Sequence, residues 1–314
     1  WEEFERDIDR READGTRHSL VIAQSFVRNQ GDAWAWTLDL LMREMSDLAG
    51  GDETAATDAA RHEDYDAAAT LLGRRLGEMH AILARPSDNP DFAPEAAGAE
   101  LTRAWAAQAE QQLGVAFNAL GARQDWPQDA AQDLGRVMAA REQLTAAVRE
   151  LAAKGAGSRV TRIHGDLHLG QVLVANGDVF IIDFEGEPAK PLALRRAKSS
   201  PYRDVAGMLR SFVYAAAVVD GKSRESQAHL PQARRSAFLD SFVARATEAF
   251  LAGYRTAAGP ADSPADQALL NLFLLEKAAY EVAYEAANRP TWIDVPLRGL
   301  ARLADALLRT ETAS

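Results

Sequence analysis

Residues 163–186 read IHGDLHLGQVLVANGDVFIIDFEG and carry the strongest fold signal in the chain. Two β-prone runs, 172–174 and 179–182, flank the dipeptide Asn176-Gly177. This dipeptide between apolar runs is the strongest short signal for a tight β-hairpin. The pattern predicts two antiparallel strands, so the loop before the first strand and the loop after the second lie at the same end.

One aspartate lies in each of these two loops. Asp166 precedes the first strand and Asp183 follows the second, so both carboxylates are expected to face one cleft. Phosphoryl transfer needs such a pair: one carboxylate to accept and aim the attacking hydroxyl, and oxygen ligands for the Mg²⁺ that neutralises the phosphate oxygens. His-Gly-Asp is also a common tripeptide, and an aspartate within it can simply cap a turn. The order of both loops around the hairpin favours the catalytic interpretation.

Outside this stretch the chain is predicted to be mainly helical after a β-hairpin at its start, in which residues 4–8 pair with 19–23 around Asp14-Gly15. Helices are predicted over 33–48 with Asp32 as N-cap, 66–83, 100–120, 127–153, and from Pro201 at position N1 onward with a polar break at 257–266. A strand is predicted over 159–163 and loops over 85–98 and 184–199. The helices 100–120 and 127–153 are expected to pair as an antiparallel hairpin.

The composition excludes several classes of site. The chain has 35 basic and 46 acidic residues, a net charge of −11, and no cysteine. An acidic chain repels phosphate backbones, so a nucleic-acid partner is disfavoured. The absence of cysteine excludes disulfides and thiolate sites and fits a cytoplasmic protein. No apolar run approaches the ~20 residues of a membrane span.

The segments His164 to Gln171 and Asp183 to Gly186 resemble the catalytic and metal loops of protein kinases and aminoglycoside phosphotransferases. The resemblance implies that Asp166 is the catalytic base and that Asp183 is the principal Mg²⁺ ligand of an ATP-dependent enzyme. Gln171 stands where the family usually has asparagine and is implied as a second metal ligand. His168 either orients Asp166 or the substrate, or fills the loop.

The resemblance also implies a fold, an α+β and mostly helical kinase-like C-terminal lobe with a catalytic hairpin. Residues 1–28 would be the last strands of an N-terminal lobe and the hinge, and 29–314 the catalytic lobe, with an inserted helical hairpin at about 100–153. Phe26 and Val27 fall at this hinge, where backbone groups bind adenine. His164 is implied to be structural. Asp204 is implied to anchor the catalytic loop, or it complements a helix dipole.

A narrower resemblance covers most of the chain. Blocks at 26–34, 164–172, 183–188, 196–201, 203–211 and 276–285 resemble maltokinases, especially those fused to trehalose synthase. The implied reaction converts ATP and maltose into maltose 1-phosphate, which feeds α-glucan synthesis. The chemistry of the residues leaves other acceptors open, namely glucosamine, another sugar or an aminoglycoside.

The implied sugar-binding residues lie near the C-terminus. Lys277, Glu281, Tyr284 and Asn288 recur at helical spacing and give one polar face. Tyr280 lies on the same helix, Trp292 follows it, and Arg302 lies on the next one. An aromatic face is a good platform for a sugar ring. The alternative is a solvated helix face with half-buried aromatic side chains.

Kinases of this type also use a phosphate-covering loop and a lysine on a strand of the N-terminal lobe. The first lysine of this chain is Lys154, well after the expected hinge. The chain by itself is therefore expected to be inactive, and a catalytically silent fragment is the competing hypothesis from another class.

Overall fold

A computed structural model describes residues 6–11, 17–23, 26–50, 62–227, 229–259 and 263–312. Within these residues the predicted, mostly helical composition is confirmed. The helices are α1 (Ala33–Ala49), α2 (Glu63–Leu83), α3 (Ala99–Ala122), α4 (Gln128–Ala139), α5 (Arg141–Lys154), α6 (Leu192–Arg195), α7 (Tyr202–Ser226), α8 (Gln232–Ala258), α9 (Pro264–Asn288) and α10 (Asp294–Thr312). The strands are β1 (Arg6–Arg11), β2 (Arg17–Ala23), β3 (Glu95–Ala96), β4 (Arg159–Val160), β5 (Val172–Ala175) and β6 (Asp178–Ile181). None of the described helices has the length and apolar composition that crossing a bilayer requires.

The predicted N-terminal hairpin is present in shifted form. β1 and β2 pair antiparallel, with Arg6 opposite Ala23 and Arg11 opposite Arg17. Both strands extend further toward the connection than predicted, because an antiparallel ladder continues until the turn interrupts it. The predicted turn at Asp14-Gly15 and the start of the predicted first strand lie outside the described residues.

The hairpin of β5 and β6 matches its prediction. Val172 pairs with Ile181 at the open end, and the turn residues Asn176 and Gly177 have φ values of 51° and 76°. Positive φ at both positions is what a tight two-residue hairpin turn requires. Residues 30–32 lie along the free side of β5, where the N–H of Gln30 donates to the carbonyl of Val174 (2.7 Å). The segment that precedes α1 is thus joined to the catalytic hairpin.

The predicted helix over 127–153 is wrong as a single element. It divides into α4 and α5 at Ala140, whose ψ of 1° departs from helical geometry. α5 packs against α3 and α9, whereas α4 packs against α10. One straight helix of this length would extend ~40 Å and could not follow both surfaces. The inserted segment pairs with α3 mainly through its second half.

The observed elements near the loop of Asp166 differ from the predicted ones in smaller ways. The strand predicted over 159–163 is limited to β4, because Thr161 turns to pair with Ser199. Its partner β3 falls in the predicted loop 85–98, and α6 falls in the predicted loop 184–199. Pro201 is the N-cap of α7 and not its first residue.

The core is dominated by the crossing of α2 and α8, which glycines permit. A Cβ atom at Gly73 would collide with the carbonyl oxygen of Phe250, and one at Gly253 would collide with that of Thr70. Both obstacles are backbone, which cannot rotate away. The two helices therefore touch backbone to backbone.

The substitution Gly253→Ala is expected to lower the free energy of unfolding by about 1–3 kcal/mol, because the added methyl separates the two helices. The measurement is urea unfolding followed by circular dichroism. Gly114→Ala is the matched control: Gly114 also lies in a helix, but nothing stands within 4 Å of its added Cβ. This control is expected to be neutral or stabilising. Equal losses in both variants would contradict the close crossing.

Candidate active site

Asp204, at the start of α7, holds the loop that carries Asp166. Its Oδ2 accepts a hydrogen bond from the backbone N–H of His164, and its Oδ1 accepts one from Gly165, both at 2.8 Å. His80 of α2 places Nε2 3.1 Å from the same carboxylate. Burial alone would raise the pKa of Asp204, but these hydrogen bonds and the nearby imidazoles outweigh it and hold the pKa below its ordinary value. The predicted anchoring of this loop by Asp204 is confirmed.

His164 ties this loop to the end of β6. Its Nε2 lies 2.8 Å from the carbonyl oxygen of Ile182, a contact that requires the proton on Nε2. Its Nδ1 then accepts a hydrogen bond from the backbone N–H of Asp166 (3.3 Å). The ring also packs on Phe184, with 5.1 Å between centroids. The predicted structural role of His164 is confirmed.

Asp166 is partly buried beside a lysine. Lys277 Nζ of α9 lies 3.9 Å from Asp166 Oδ1. Burial raises the pKa of Asp166, and the charge of Lys277 opposes that rise. His168 lies in the field of both Asp166 and Asp183, and burial lowers the pKa of His168. Its Nδ1 accepts a hydrogen bond from the N–H of Gly170 (3.1 Å), so the contact it makes is with its own loop.

Asp183 follows β6 in a left-handed conformation, with φ of 63°. A non-glycine residue in this region is strained, and such strain is found preferentially at functional sites. Gln171 Nε2 donates to Asp183 Oδ2 (2.9 Å), so the two predicted metal ligands are in contact. Within the described ranges no three His, Cys, Asp or Glu side chains group as a metal site of their own.

A carboxylate and an amide fit Mg²⁺ that is shared with a nucleotide. Mg²⁺ keeps several waters and commonly takes one or two carboxylates together with substrate phosphates. Turning the Gln171 amide by half a rotation would place its oxygen beside Asp183. Asp183 and Gln171 are the residues of this chain that would hold the ion.

The cleft beside Asp166 has walls from α3, α7 and α9. Its polar lining consists of Gln108, Gln112, Asp166, Glu187, Lys190, Arg203, Glu276, Lys277 and Tyr280. The charged members form three pairs: Glu187 with Lys190 at 2.8 Å, Arg203 with Glu276 at 2.7 Å, and Asp166 with Lys277 at 3.9 Å. A cleft lined by paired charges and amides offers many hydrogen-bonding groups without a large net charge.

The profile of the phosphotransferase enzyme family matches residues 25–186, which are 162 of the 314 residues. The chain belongs to the phosphotransferase enzyme family. The matched range contains Phe26 and Val27, the loop of Asp166, and Asp183. The cleft residues of α7 and α9 lie beyond it.

The relatives of this chain include two glucosamine kinases. That of Streptacidiphilus jiangxiensis is 28% identical over 281 residues, which are 88% of this chain and 56% of the relative. That of Mycolicibacterium smegmatis (strain ATCC 700084 / mc(2)155) is 29% identical over 294 residues, 93% of this chain and 65% of the relative. A solved glucosamine kinase in complex with glucosamine, ADP and inorganic phosphate superposes with a TM-score of 0.72 at 25% identity, covering 93% of this chain and 65% of that one.

The chain thus spans less than two thirds of the length of these relatives. They are glucosamine kinases, whereas the sequence blocks predicted a maltokinase. The coarser prediction, a kinase-like phosphotransferase, agrees with them.

The predicted sugar-binding residues of this chain fall into two groups. Lys277 and Tyr280 line the cleft beside Asp166, and Tyr284 stacks on Tyr280 with 6.1 Å between ring centroids. Trp292 and Arg302 instead line a separate cleft between α7, α8 and α10, where Arg302 pairs with Asp240 (2.8 Å). The structure does not bring these two residues to Asp166.

Phe26 and Val27 stand in the segment that leads to the catalytic hairpin. The Phe26 side chain is 84% exposed, and the carbonyl of Val27 accepts a hydrogen bond from Asn29 Nδ2 (2.9 Å). The following residues join β5, so the segment lies beside the hairpin that carries Asp183. Its role in adenine binding stays a prediction.

Six polar residues of the cleft escaped the sequence analysis as site residues: Gln108, Gln112, Glu187, Lys190, Arg203 and Glu276. The two glutamines lie one turn apart on α3, a spacing that places them on one face. The spacing of the two glutamines could have indicated a polar face on α3. Nothing in the sequence indicates that this face lies beside the loop of Asp166.

Proposed function

We propose that this chain is the catalytic part of an ATP-dependent kinase that phosphorylates a hydroxyl group of an aminosugar. The observation that carries the proposal is the partly buried Asp166, which faces the polar cleft with Lys277 beside it. The contact between Asp183 and Gln171 at the adjoining loop supports it. The glucosamine kinases among the relatives support the choice of acceptor.

In the proposed reaction Asp166 accepts the proton of the attacking hydroxyl. The hydroxyl oxygen forms a bond to the γ-phosphorus of ATP, the bond from that phosphorus to the β,γ-bridging oxygen breaks, and ADP leaves with its electron pair. Lys277 favours the ionised form of Asp166 against the effect of burial and offers positive charge near the transferred group. When bound, Mg²⁺ neutralises charge on the phosphate oxygens. The anchored loop keeps the base in position.

Maltose is the second candidate acceptor. The blocks at 203–211 and 276–285, which resemble maltokinases, favour it, and they lie beyond the matched family profile. A fused or associated trehalose synthase domain belongs to this second hypothesis. The balanced charge of the cleft is compatible with either a neutral sugar or an aminosugar.

The deciding experiment is a coupled assay of ADP release by the full-length protein. Glucosamine, maltose, glucose and an aminoglycoside are offered separately with ATP and Mg²⁺. The proposal expects the highest kcat/KM with glucosamine. Preference for maltose would establish the second candidate, and no release with any sugar would refute the kinase proposal.

The charge of Lys277 is expected to determine at which pH the acid limb of the kcat/KM profile lies. Activity requires ionised Asp166, so kcat/KM falls as the pH drops through the pKa of this group, which burial places above the ordinary aspartate value. The groups that act on it are Lys277, His168, Glu187 and His164. Because the charge of Lys277 lowers the pKa of Asp166, Lys277→Met should move the acid limb to higher pH. The measurement is kcat/KM against pH.

The control for this prediction is Lys277→Arg, which retains the positive charge and should leave the acid limb in place. An unmoved limb in Lys277→Met would show that Asp166 does not govern it.

A further inference from the structure

A carboxylate oxygen of Glu276 is left without a partner at the wall of the Asp166 cleft. Glu276 is 5% exposed and lines the cleft from α9. Its Oε1 accepts a hydrogen bond from Arg203 Nη1 (2.7 Å), whereas Oε2 is closed to solvent and has no hydrogen-bond partner among the described residues. An unsatisfied buried carboxylate oxygen is costly, and such an atom needs an explanation.

Glu285, another buried carboxylate of this helix, does not share the unpartnered oxygen. Glu285, about two and a half turns nearer the C-terminus, is 1% exposed and also pairs with an arginine. Both of its oxygens are engaged, since Arg289 Nη2 and the hydroxyl of Tyr214 contact Oε1 and Arg289 Nε contacts Oε2. Glu285 does not line the Asp166 cleft. Of these two carboxylates, only that of Glu276, at the cleft wall, has an oxygen without a hydrogen-bond partner among the described residues.

None of the basic side chains that line the cleft contacts Oε2 of Glu276. Lys190 pairs with Glu187, and Lys277 lies beside Asp166. Arg203 binds the other oxygen of Glu276 and stacks over Phe273, with 4.4 Å from its guanidinium carbon to the ring centroid. Each of these basic groups therefore has a carboxylate partner, and no donor in the described part of the chain reaches Oε2 of Glu276.

We infer that Glu276 is the residue that recognises the amino group of the acceptor sugar, an inference that rests on the proposed function. The last torsion of a glutamate side chain is broad, so the carboxylate can turn Oε2 toward the cleft while it remains paired with Arg203. An ammonium group brings several donors and a positive charge, and a charge-assisted hydrogen bond is about twice as strong as a neutral one. A hydroxyl at the same position of a neutral sugar binds more weakly.

The test compares Glu276→Gln with wild type. Glutamine has the same shape and can still accept from Arg203, but it lacks the charge. The substitution is expected to raise the KM for glucosamine about 10- to 100-fold, with a smaller change for glucose and an unchanged KM for ATP. Glu276→Asp keeps the charge on a shorter arm and should recover part of the affinity. Glu285→Gln is the matched control and should leave the KM for glucosamine unchanged.

A binding measurement separates this inference from the proposed function. Calorimetric titration of glucosamine into the 314-residue chain without nucleotide should show binding by wild type and its loss in Glu276→Gln. Binding of glucosamine by this chain without ADP release by the full-length protein would refute the kinase proposal and leave the role of Glu276 standing. Turnover with an unchanged KM in Glu276→Gln would overturn the role of Glu276 alone, as would the absence of glucosamine binding by wild type. Equal losses in Glu276→Gln and Glu285→Gln, with lowered melting temperatures, would make Glu276 purely structural.

Discussion

Replacing Asp183 by asparagine is expected to abolish ADP release by the full-length protein, a loss of at least about 10³-fold in kcat. The carboxylate is the strongest candidate metal ligand, and a neutral amide cannot supply its charge. Asparagine tolerates the left-handed conformation that Asp183 adopts, so the substitution removes the charge without disturbing the turn. The measurement is the coupled assay over a range of Mg²⁺ concentrations.

Gln171→Asn provides the comparison for this prediction. It keeps the amide on a shorter arm at the position where the family usually has asparagine, and it is expected to retain most of the activity. Substantial turnover by Asp183→Asn at ordinary Mg²⁺ concentrations would remove Asp183 from the metal site.

Replacing Asp166 by asparagine is expected to slow phosphoryl transfer by ~10²–10⁴, the usual contribution of a positioned base. Binding of ATP should change little, because the substitution preserves the size of the side chain and the loop is held through Asp204. Single-turnover kinetics give the rate of transfer, and calorimetric titration gives the affinity for nucleotide.

Asp240→Asn serves as the control, since Asp240 pairs with Arg302 in the other cleft and should not affect transfer. Wild-type turnover by Asp166→Asn would show that another group accepts the proton.

The placement of Asp166 and Asp183 in one cleft could be predicted because it depends on residues close to them in the sequence. Asn176-Gly177 specifies a turn with positive φ at both residues, and that turn fixes the register of the strands that separate Asp166 from Asp183. Asp32 could be predicted as the N-cap of α1 for the same reason, and its side chain accepts a hydrogen bond from the N–H of Ala35. Residues close in sequence constrain each other through backbone geometry alone.

The acceptor wall was not predictable, because α9 is packed on several sides. The sequence indicated a polar face through Lys277, Glu281 and Tyr284, but Glu281 is buried against Arg210, with Oε2 accepting from Nε at 2.9 Å. The cleft instead receives Glu276, Lys277 and Tyr280. α3, α5, α7 and α10 all contact this helix, so it has no single apolar stripe that would reveal its orientation.

The break at Ala140 has a similar origin. No glycine or proline marks it, and the propensity of the segment is helical throughout. The course of the helix is set by the surfaces it must cover, which belong to α9 and α10, more than a hundred residues later in the chain. The prediction that Trp292 and Arg302 bind the sugar was made without knowing how the distant helices pack, which is what places these residues in the other cleft.

The backbone contact between α2 and α8 has a consequence for the order of events during synthesis. Gly73 and Gly253, which meet at that crossing, are 180 residues apart, so α2 leaves the ribosome long before its partner exists. At the usual 5–20 residues per second the interval is roughly 10–40 s. Throughout it the apolar face of α2, including Leu72 and Leu76, has no α8 to cover it. We therefore expect the nascent chain to depend on chaperones until α8 has emerged, because closing so long a loop is also slow.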